Sequence, residues 1–254
     1  MSCSAEVYKS LSMGTKLEVG AKFRTYANRL DMAAGIKWRS VQVYPLRKEP
    51  NPLEGSDFRW IGKSEELQKW FLGTLVHHLD LPTNSDSILS FGFRKGSMVE
   101  DVVSIIREVL HSFDVWGAAT AWNGHHLFTG SQDVETAFDT VDHEEEAIGM
   151  ILSGVPTRVA GLLARGNVGV ELVYDLPKAG FTEPLPLETG MVQGRIDAPS
   201  RFRIFLDFVL APVVALWVQA GFGVRWGFKG EKRLTHVAWA SISFLRVPVE
   251  RSEG

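Results

Sequence analysis

The acidic stretch DVETAFDTVDH, residues 133–143, holds the side chains best suited to chemistry. Asp133 ends a segment that looks extended, where a carboxylate can reach a hard cation, and carboxylate oxygens suit Mg²⁺, which keeps several waters and bridges substrate phosphates. The simpler interpretation is that Asp133, Asp139 and Asp142 cap helices. A metal-dependent hydrolase built on these three acids and His143 is a further hypothesis.

Other motifs exclude several kinds of site. Cys3 is the only cysteine, so the chain offers neither a disulfide framework nor a cysteine-based zinc site. The histidine pairs at 77–78 and 125–126 lack a second ligand at metal spacing. The glycines of GFGVRWG, 221–227, do not match a dinucleotide fingerprint. GMVQG, 190–194, is either a tight loop against a ligand or an ordinary turn.

The charge distribution allows two interpretations. The net charge of −3 is not that of a strong nucleic-acid binder. Acidic residues outnumber basic ones in the middle of the chain, and basic residues outnumber acidic ones towards both ends. This pattern is either a mixed solvated surface or a metal-binding acidic centre with basic walls for a polyanion.

No segment predicts export or a membrane span. The start of the chain lacks the charged and apolar regions of a secretory signal, so we expect an intracellular protein, nuclear or cytoplasmic. The apolar run 204–218 is shorter than a span and contains Asp207 and Pro212. We predict a buried helix there, bent or broken near the proline, and no membrane partner.

Periodicity and turn residues predict a mixed architecture, of class α/β (α+β). Ser64 is the expected cap of one helix, and 48–57 is expected to be a loop. Further helices are predicted over 98–113, 143–152, 156–166 and 200–219. Strands are predicted just before Asp133, over 168–175, and as two short segments meeting around Ser241.

Four stretches follow one another in an order that is informative as a set. They are FGFRKGSMVEDVV (91–103), DVETAFDTVDHE (133–144), ETGMVQGRIDAPSRFRIFLD (188–207) and LTHVAWASISFL (234–245). In order and spacing they resemble successive blocks of the reverse transcriptase domain of non-LTR (LINE-type) retrotransposons. Upstream, VQVYPLRKEPNP and SDFRWIG resemble the first block of that family. The resemblance extends from about residue 40 to 247.

The resemblance implies roles for residues in the acidic stretch. Asp133 matches the first metal-binding, catalytic aspartate of the polymerase palm. Phe138 matches the aromatic gate that crowds a ribose 2′-hydroxyl and so selects deoxynucleotides, although a core phenylalanine is the simpler interpretation. Asp139 matches an acidic position typical of the non-LTR group.

The resemblance also implies substrate contacts elsewhere. Gln193 and Gly194 match the pair that lies against the incoming nucleotide and the template. Lys48 and Arg59 are looser matches to residues that contact the triphosphate. The family usually has Arg-Pro-Ile where this chain has Arg59-Trp60-Ile61, which weakens the assignment of Arg59.

The last block departs from the family at the catalytic hairpin. The family places an aromatic residue, an alanine and two acids there, and this chain has Trp239, Ala240, Ser241 and Ile242. Polymerisation uses two divalent ions about 4 Å apart, which repel by about 16 kcal/mol at an effective dielectric of 20. Flanking carboxylates must offset this repulsion, and a neutral serine hydroxyl is a poor substitute. We therefore expect at most trace polymerase activity.

The resemblance implies a right-hand polymerase fingers and palm, with an incomplete palm and no thumb. We expect residues 40–247 to form this domain, after an unassigned segment, 1–39, and before a tail, 248–254. The implied cofactor is Mg²⁺ or Mn²⁺, and the implied partners are an RNA template, a DNA primer and deoxynucleoside triphosphates. The alternative is a non-catalytic module that binds RNA or an RNA–DNA hybrid.

Overall fold

The computed structural model describes residues 10–29, 38–78, 91–94, 96–116, 128–132, 134, 136–177, 179–226, 232–239 and 241–246. The helices in these ranges are α1 (Met13–Arg29), α2 (Glu66–His78), α3 (Val99–Trp116), α4 (His143–Leu152), α5 (Thr157–Arg165) and α6 (Ala198–Gln219). The strands are β1 (Ser40–Arg47), β2 (Phe58–Lys63), β3 (Phe128–Gln132), β4 (Glu171–Leu176), β5 (Gly180–Phe181), β6 (Leu185–Pro186), β7 (Val224–Trp226), β8 (Lys232–Leu234), β9 (His236–Trp239) and β10 (Ser241–Arg246). The fold is therefore mixed α/β, as the sequence predicted.

The chain divides into two compact units. Unit 1 consists of residues 1–82 and 137–202, and unit 2 consists of residues 83–136 and 203–254. Each unit is built from two separate stretches of chain, so neither corresponds to a simple N-terminal or C-terminal half.

Unit 1 is organised around a mixed sheet of order β2-β1-β4-β5, with β6 also paired to β4. β1 runs antiparallel to β2 and parallel to β4. Val41 and Val43 of β1 are buried while Ser40 and Gln42 are exposed, the alternation of a strand with one face on the core. The predicted strand 168–175 is shifted: Val170 is a buried core residue that precedes the strand proper.

The first helix attaches to unit 1 through aromatic side chains. The ring of Phe23 lies 5.2 Å from that of Phe71, and the ring of Tyr26 lies 4.9 Å from that of Trp38. Trp38 and Phe71 are themselves 5.9 Å apart. The N-terminal segment, which has no counterpart among the sequence blocks, therefore contributes to the core of unit 1.

The N-terminus of α2 is capped differently from the prediction. The carboxylate of Glu65 accepts hydrogen bonds from the backbone N–H groups of Leu67 and Gln68, at 3.0 and 3.2 Å. It also accepts one from Nε1 of Trp38 at 2.9 Å. The prediction that Ser64 caps this helix is wrong: Ser64 is buried, and the charged carboxylate one residue later is the stronger acceptor.

Unit 2 contains a three-stranded sheet of order β3-β10-β9 and the separate hairpin β7-β8. Its core joins α3 to the strands through Val102, Val109, Val224, Leu234 and Val237. α3 matches its predicted range closely and begins at Val99.

α6 begins two residues earlier than predicted, at Ala198. It runs for 22 residues without a break at Pro212, which lies on an exposed stretch where water can satisfy the freed carbonyl. Val209, Val213 and Leu216 form an exposed apolar stripe, so the prediction of burial is wrong for this half. Of the two predicted alternatives near the proline, a break does not occur. Within the described ranges, α6 is the one helix long and apolar enough to cross a membrane, a test that core helices of soluble proteins also pass.

Candidate functional site

The Gly190–Gly194 loop of unit 1 lies directly against strand β2. The backbone N–H of Gly62 donates to the carbonyl of Gln193 at 2.6 Å. Gly194 has a φ of +99°, and a Cβ there would lie 2.6 Å from the Gly62 carbonyl oxygen. Because only glycine tolerates both constraints, the second glycine of GMVQG is required by packing against β2. Gln193 and Gly194 are thus held at the sheet by the backbone.

The other end of the same loop packs against the turn that carries Phe138 and Asp139. Gly190 donates to the carbonyl of Val141 at 2.8 Å, and Met191 donates to that of Phe138 at 2.7 Å. A Cβ on Gly190, whose φ is +87°, would lie 2.7 Å from Cα of Asp139. The structure therefore brings together two sequence blocks that are about 50 residues apart.

Phe138 has at least a structural role. Its ring is half-buried and stacks on that of Phe202, with centroids 4.5 Å apart and planes inclined by 24°. This contact joins the turn to the first part of α6 and is the core role that the sequence allowed. Its match to the ribose-selecting position stays a prediction.

The charged residues matched to triphosphate contacts lie on or beside the β1–β2 hairpin. Nζ of Lys48 donates to the carbonyl of Ser56 at 2.8 Å, which holds the ammonium group against the hairpin turn. Arg59 is exposed on β2, in register with Leu46. Loss of water around its carboxyl raises the pKa of Asp139, and the charge of Lys48 opposes that rise.

A buried ionic network begins at Arg195, the residue that directly follows the Gly190–Gly194 loop. Arg195 binds both carboxylate oxygens of Asp197, at 3.1 and 2.9 Å, and donates to the Asn167 side chain at 2.8 Å. Arg201 of α6 binds the second oxygen of Asp197 at 2.7 Å and forms a bidentate pair with Glu146 of α4. All four charged side chains of this ionic network, Glu146, Arg195, Asp197 and Arg201, are almost fully buried.

The two arginines decide the charge state of the ionic network. Burial alone would raise the pKa of Asp197, but Arg195 and Arg201 lower it to about 2. Glu146 and Asp197 together raise the pKa of Arg201 against the effect of burial. The network pairs two arginines with two carboxylates, and it joins α4, the end of α5, the residues that follow the loop, and α6.

Sequence reasoning missed this ionic network. Glu146 belongs to the run Glu144–Glu146, whose simplest interpretation from sequence is the acidic first turn of a helix, and all three do lie in the first turn of α4. The available signal was its spacing: Glu146, Gly149 and Met150 are the buried positions of α4 and share one helical face. An arginine at position 201, four residues after Asp197 in an apolar helix, was the matching clue.

Two of the four residues named in the hydrolase hypothesis, Asp142 and His143, have structural partners. The carboxylate of Asp142 accepts hydrogen bonds from the backbone N–H groups of Glu144 and Glu145, both at 2.9 Å, and so caps α4. Nε2 of His143 donates to the carbonyl of Gly190 at 2.8 Å. Among the described residues, no three His, Cys, Asp or Glu side chains form a group that could hold a metal ion.

Asp133, which the resemblance matches to a metal-binding aspartate, lies outside the described residues. Its chain neighbour Gln132 ends β3 and pairs with Ile242 of β10. Ile242 directly follows Ser241, which begins β10 and pairs with Trp239 of β9. The described strands therefore pair the residue before Asp133 with the residue after Ser241.

The donor groups at these two positions do not fit a pair of divalent ions. They comprise one carboxylate, from Asp133, and one neutral hydroxyl, from Ser241. Hard divalent cations are usually held by carboxylates together with carbonyl, phosphate or water oxygens. With one carboxylate, little negative charge is available to offset the repulsion between two ions.

Comparisons with known proteins identify no family. No family model matches the chain, and no curated protein matches it as a relative. Among solved structures, it is similar to apo telomerase from Candida tropicalis truncated from its C-terminal domain, with a TM-score of 0.49 and 12% identity. The similarity covers 87% of this chain and 47% of that one, so the chain spans about half the length of the telomerase structure. A likeness of this degree establishes neither a shared fold nor a shared activity.

Proposed function

We propose that this chain is a reverse transcriptase domain of retroelement origin, comprising fingers and palm, with defective catalysis. Its ancestral reaction is the addition of a deoxynucleotide to the 3′-hydroxyl of a primer on an RNA template. Asp133 is the surviving Mg²⁺-binding carboxylate, and Ser241 replaces its partner.

The observation that carries this proposal is the pairing of β3 with β10. The sequence blocks that resemble the two metal-binding motifs are more than 100 residues apart, yet Gln132 and Ile242 are direct partners on neighbouring antiparallel strands. Two unrelated acidic or polar motifs would have no reason to meet in this register. The pairing is the arrangement expected if Asp133 and an acid at position 241 once held ions together.

The substrate side of the proposal rests on unit 1. Gln193 and Gly194 lie beside β2, and Phe138 and Asp139 lie at the other end of the same loop. Lys48 and Arg59 belong to the adjacent hairpin. The resemblance assigns Gln193 and Gly194 to the incoming nucleotide and template, Phe138 to the ribose, and Lys48 and Arg59 to the triphosphate. All five residues belong to this loop, to the turn packed against it or to the hairpin that includes β2.

Primer extension on an RNA template, with Mg²⁺ or Mn²⁺, tests the proposal. The chain should be compared with Ser241→Asp, which restores the missing carboxylate, and with Asp133→Ala. We expect the natural chain to extend primers at background level and the Ser241→Asp variant to extend them faster. Adding Asp133→Ala to the Ser241→Asp variant should remove this gain.

Each result has a distinct meaning. Efficient extension by the natural chain would show that position 241 does not need an acid. No gain from Ser241→Asp, in a chain that still binds RNA, would reject a defect confined to position 241. A control, Ser243→Asp on the same strand, should gain nothing because Ser243 pairs with Ser131 away from Asp133.

A second candidate function is binding of RNA or an RNA–DNA hybrid without catalysis. The replacement of both acids of the catalytic hairpin by Ser241 and Ile242 favours it, because such a chain can retain its nucleic-acid surfaces after losing the ions. RNA binding that weakens with salt, without primer extension even in Ser241→Asp, would distinguish this candidate. Absence of RNA binding at low salt would contradict both.

A further inference from the structure

One face of the unit 1 sheet carries a cluster of three aromatic rings, which we call the aromatic platform: Phe58, Trp60 and Tyr174. Trp60 of β2 pairs with Pro45 of β1. Tyr174 of β4 pairs with Val43 of β1, and Val43 pairs on its other side with Gly62 of β2. Paired residues on neighbouring strands point to the same face of a sheet, and so do alternate residues along one strand. All three rings therefore belong to the same face. The ring centroids of Phe58 and Trp60 are 5.8 Å apart, and those of Trp60 and Tyr174 are 5.2 Å apart.

The aromatic platform lies beyond the core of unit 1. Val41 and Val43, further along the same face, are almost fully buried, while Phe58, Trp60 and Tyr174 are only half-buried. Nε1 of Trp60 donates to the carbonyl of Gly55 at 3.2 Å, and the edge-to-face contact with Tyr174 adds a second constraint. The indole is therefore held in one orientation while part of its surface remains open to solvent.

Positive charge borders the aromatic platform. Arg47 is exposed and pairs directly with Phe58, so it lies on the same face of the sheet. Lys48 follows it, also exposed. The nearby carboxylate of Asp57 is occupied by the backbone N–H groups of Leu53 and Glu54, at 2.8 and 3.0 Å. The carboxylate of Asp139 lies within electrostatic range of Tyr174 and Lys48, so the cation that favours an anionic ligand is Arg47, at the Phe58 end of the rings.

Rings bordered by cations are the combination that binds unpaired nucleotides. Every base has a π-face that can stack on an aromatic side chain, and the adjacent phosphate needs a cation. The aromatic platform offers both within one hairpin and the strand next to it. The family block has proline where Trp60 stands, so the resemblance gives no reason for an indole at this position.

We propose that Trp60, supported by Phe58 and Tyr174, stacks on one unpaired base of a single-stranded nucleic acid, and that Arg47 contacts a neighbouring phosphate. This inference rests on the proposed function, since both candidate functions require nucleic-acid binding. It adds a binding residue that differs from those matched to the incoming nucleotide.

Fluorescence anisotropy with a labelled 12-nucleotide oligouridylate at low salt tests the proposal. Trp60→Leu keeps an apolar side chain but removes the π-face, and a stacked base contributes about 1–3 kcal/mol. We therefore expect Trp60→Leu to weaken binding by about 5- to 150-fold, and Trp60→Phe to retain most of the affinity. The dependence on salt should not change, because the lost contact is uncharged.

A matched control is Phe181→Leu. Phe181 is an exposed aromatic residue of the same sheet, but it pairs with Asp175, which lies on the opposite face from its neighbour Tyr174. Its removal should leave affinity unchanged. Thermal unfolding of each variant, within a few degrees of the natural chain, shows that the sheet is intact.

An abasic scan separates stacking from a general structural effect. Each nucleotide of the oligouridylate is replaced in turn by an abasic site. At one of these nucleotides, the replacement should weaken binding to the natural chain by the same factor as Trp60→Leu. At that position, Trp60→Leu should cause no further loss. Equal affinities of the natural chain and folded Trp60→Leu, or losses that add at every position, would overturn the stacking proposal alone.

Two other outcomes also reject the inference. If the natural chain binds no oligonucleotide at low salt, the proposed function fails together with it. Binding of a labelled proline-rich peptide should be measured in the same way. If Trp60→Leu weakens peptide binding but leaves oligonucleotide binding unchanged, the aromatic platform binds a protein partner instead.

Discussion

The buried ion pair between Glu146 and Arg201 should contribute strongly to the stability of unit 1. Replacing Glu146 by Gln would leave the guanidinium of Arg201 with one anionic partner, Asp197, inside the protein. Breaking a buried pair on one side costs about 3–5 kcal/mol. We expect Glu146→Gln to lower the free energy of unfolding by that order, as measured by urea denaturation.

The neighbouring Glu144 provides the control. It lies in the first turn of the same helix but is exposed, so Glu144→Gln should change the free energy of unfolding by less than about 0.5 kcal/mol. Similar losses from both variants would mean that the first turn of α4, and not the buried ionic network, is the sensitive feature.

Gly194 is the residue where the candidate site depends most directly on backbone geometry. A methyl group there would meet the Gly62 carbonyl oxygen at 2.6 Å with φ at +99°. We expect Gly194→Ala to destabilise the protein by about 2 kcal/mol or more and to weaken any RNA binding that depends on Gln193. Circular dichroism during urea unfolding provides the first measurement.

Gly161 is a suitable comparison for that substitution. It lies inside α5, and a Cβ there would meet nothing within 4 Å. Gly161→Ala should therefore be neutral or stabilise the helix by up to about 1 kcal/mol. Loss of stability in Gly161→Ala equal to that in Gly194→Ala would contradict the argument from close packing.

Among the secondary-structure elements, α4 allows a test of whether Asp142 acts as a helix cap or as a metal ligand. Asp142 accepts two backbone hydrogen bonds, a role that asparagine performs nearly as well. Asp142→Ala should lower the free energy of unfolding by about 1 kcal/mol, and Asp142→Asn should cost much less. A metal ligand would behave differently, since both substitutions remove the carboxylate and both would abolish metal-dependent activity.

Strand β9 contains a buried histidine that makes unit 2 sensitive to acid. Burial lowers the pKa of His236 from 6.5 to about 4, so the folded state favours the neutral ring. The stability associated with this preference is fully present above pH 6.5 and is lost as the pH falls towards 4. The difference in pKa corresponds to about 3 kcal/mol.

Two leucine variants isolate the contribution of that ring. Free energies of unfolding should be measured at pH 7 and pH 4.5 for His236→Leu and for His77→Leu, whose histidine is exposed on α2. His236→Leu should lose less stability on acidification than the natural chain, while His77→Leu should behave like it. Identical pH dependence in all three proteins would show that His236 does not titrate in this window.

For the whole molecule, net charge limits the affinity for nucleic acid. The chain carries −3 at pH 7 and its isoelectric point is about 6.2, so it repels a polyanion at neutral pH. We expect RNA affinity to rise several-fold between pH 7.5 and pH 6 at low salt. The rise should disappear at high salt, because screening removes long-range electrostatic effects. Filter binding at two pH values and two salt concentrations provides the measurement.

The sequence predicted some elements well for identifiable reasons. α3, α4, α5 and the strands β9 and β10 have clear apolar periods or end signals, and the structure contains all of them. The β1–β2 hairpin was not predicted, because prolines, aromatics and charges interrupt its alternation. α1 has a weak apolar pattern and is held by ring contacts with residues far along the chain.

The candidate site was predictable only where short motifs carry a local signal. The glycines of GMVQG carry a local signal, so a tight loop or turn there could be anticipated, whereas its contact with the turn at 136–140 was not predicted. The ionic network could not be anticipated, because Glu146 and Arg201 are 55 residues apart and each alone looks like a solvated charge. Burial of a charge depends on its partner, which composition and periodicity do not identify.

The contact between β2 and the Gly190–Gly194 loop has a consequence for how such a chain changes over evolutionary time. A Cβ on Gly62 would lie 2.2 Å from Cγ1 of Val192, and one on Gly194 would strike the carbonyl of Gly62. Packing alone is sufficient to require both glycines, whether or not Gly194 also contacts a substrate. In descendants that no longer copy RNA, the two glycines should persist together while acids and phosphate-binding cations drift, so their retention would report selection for a folded protein, not for an enzyme.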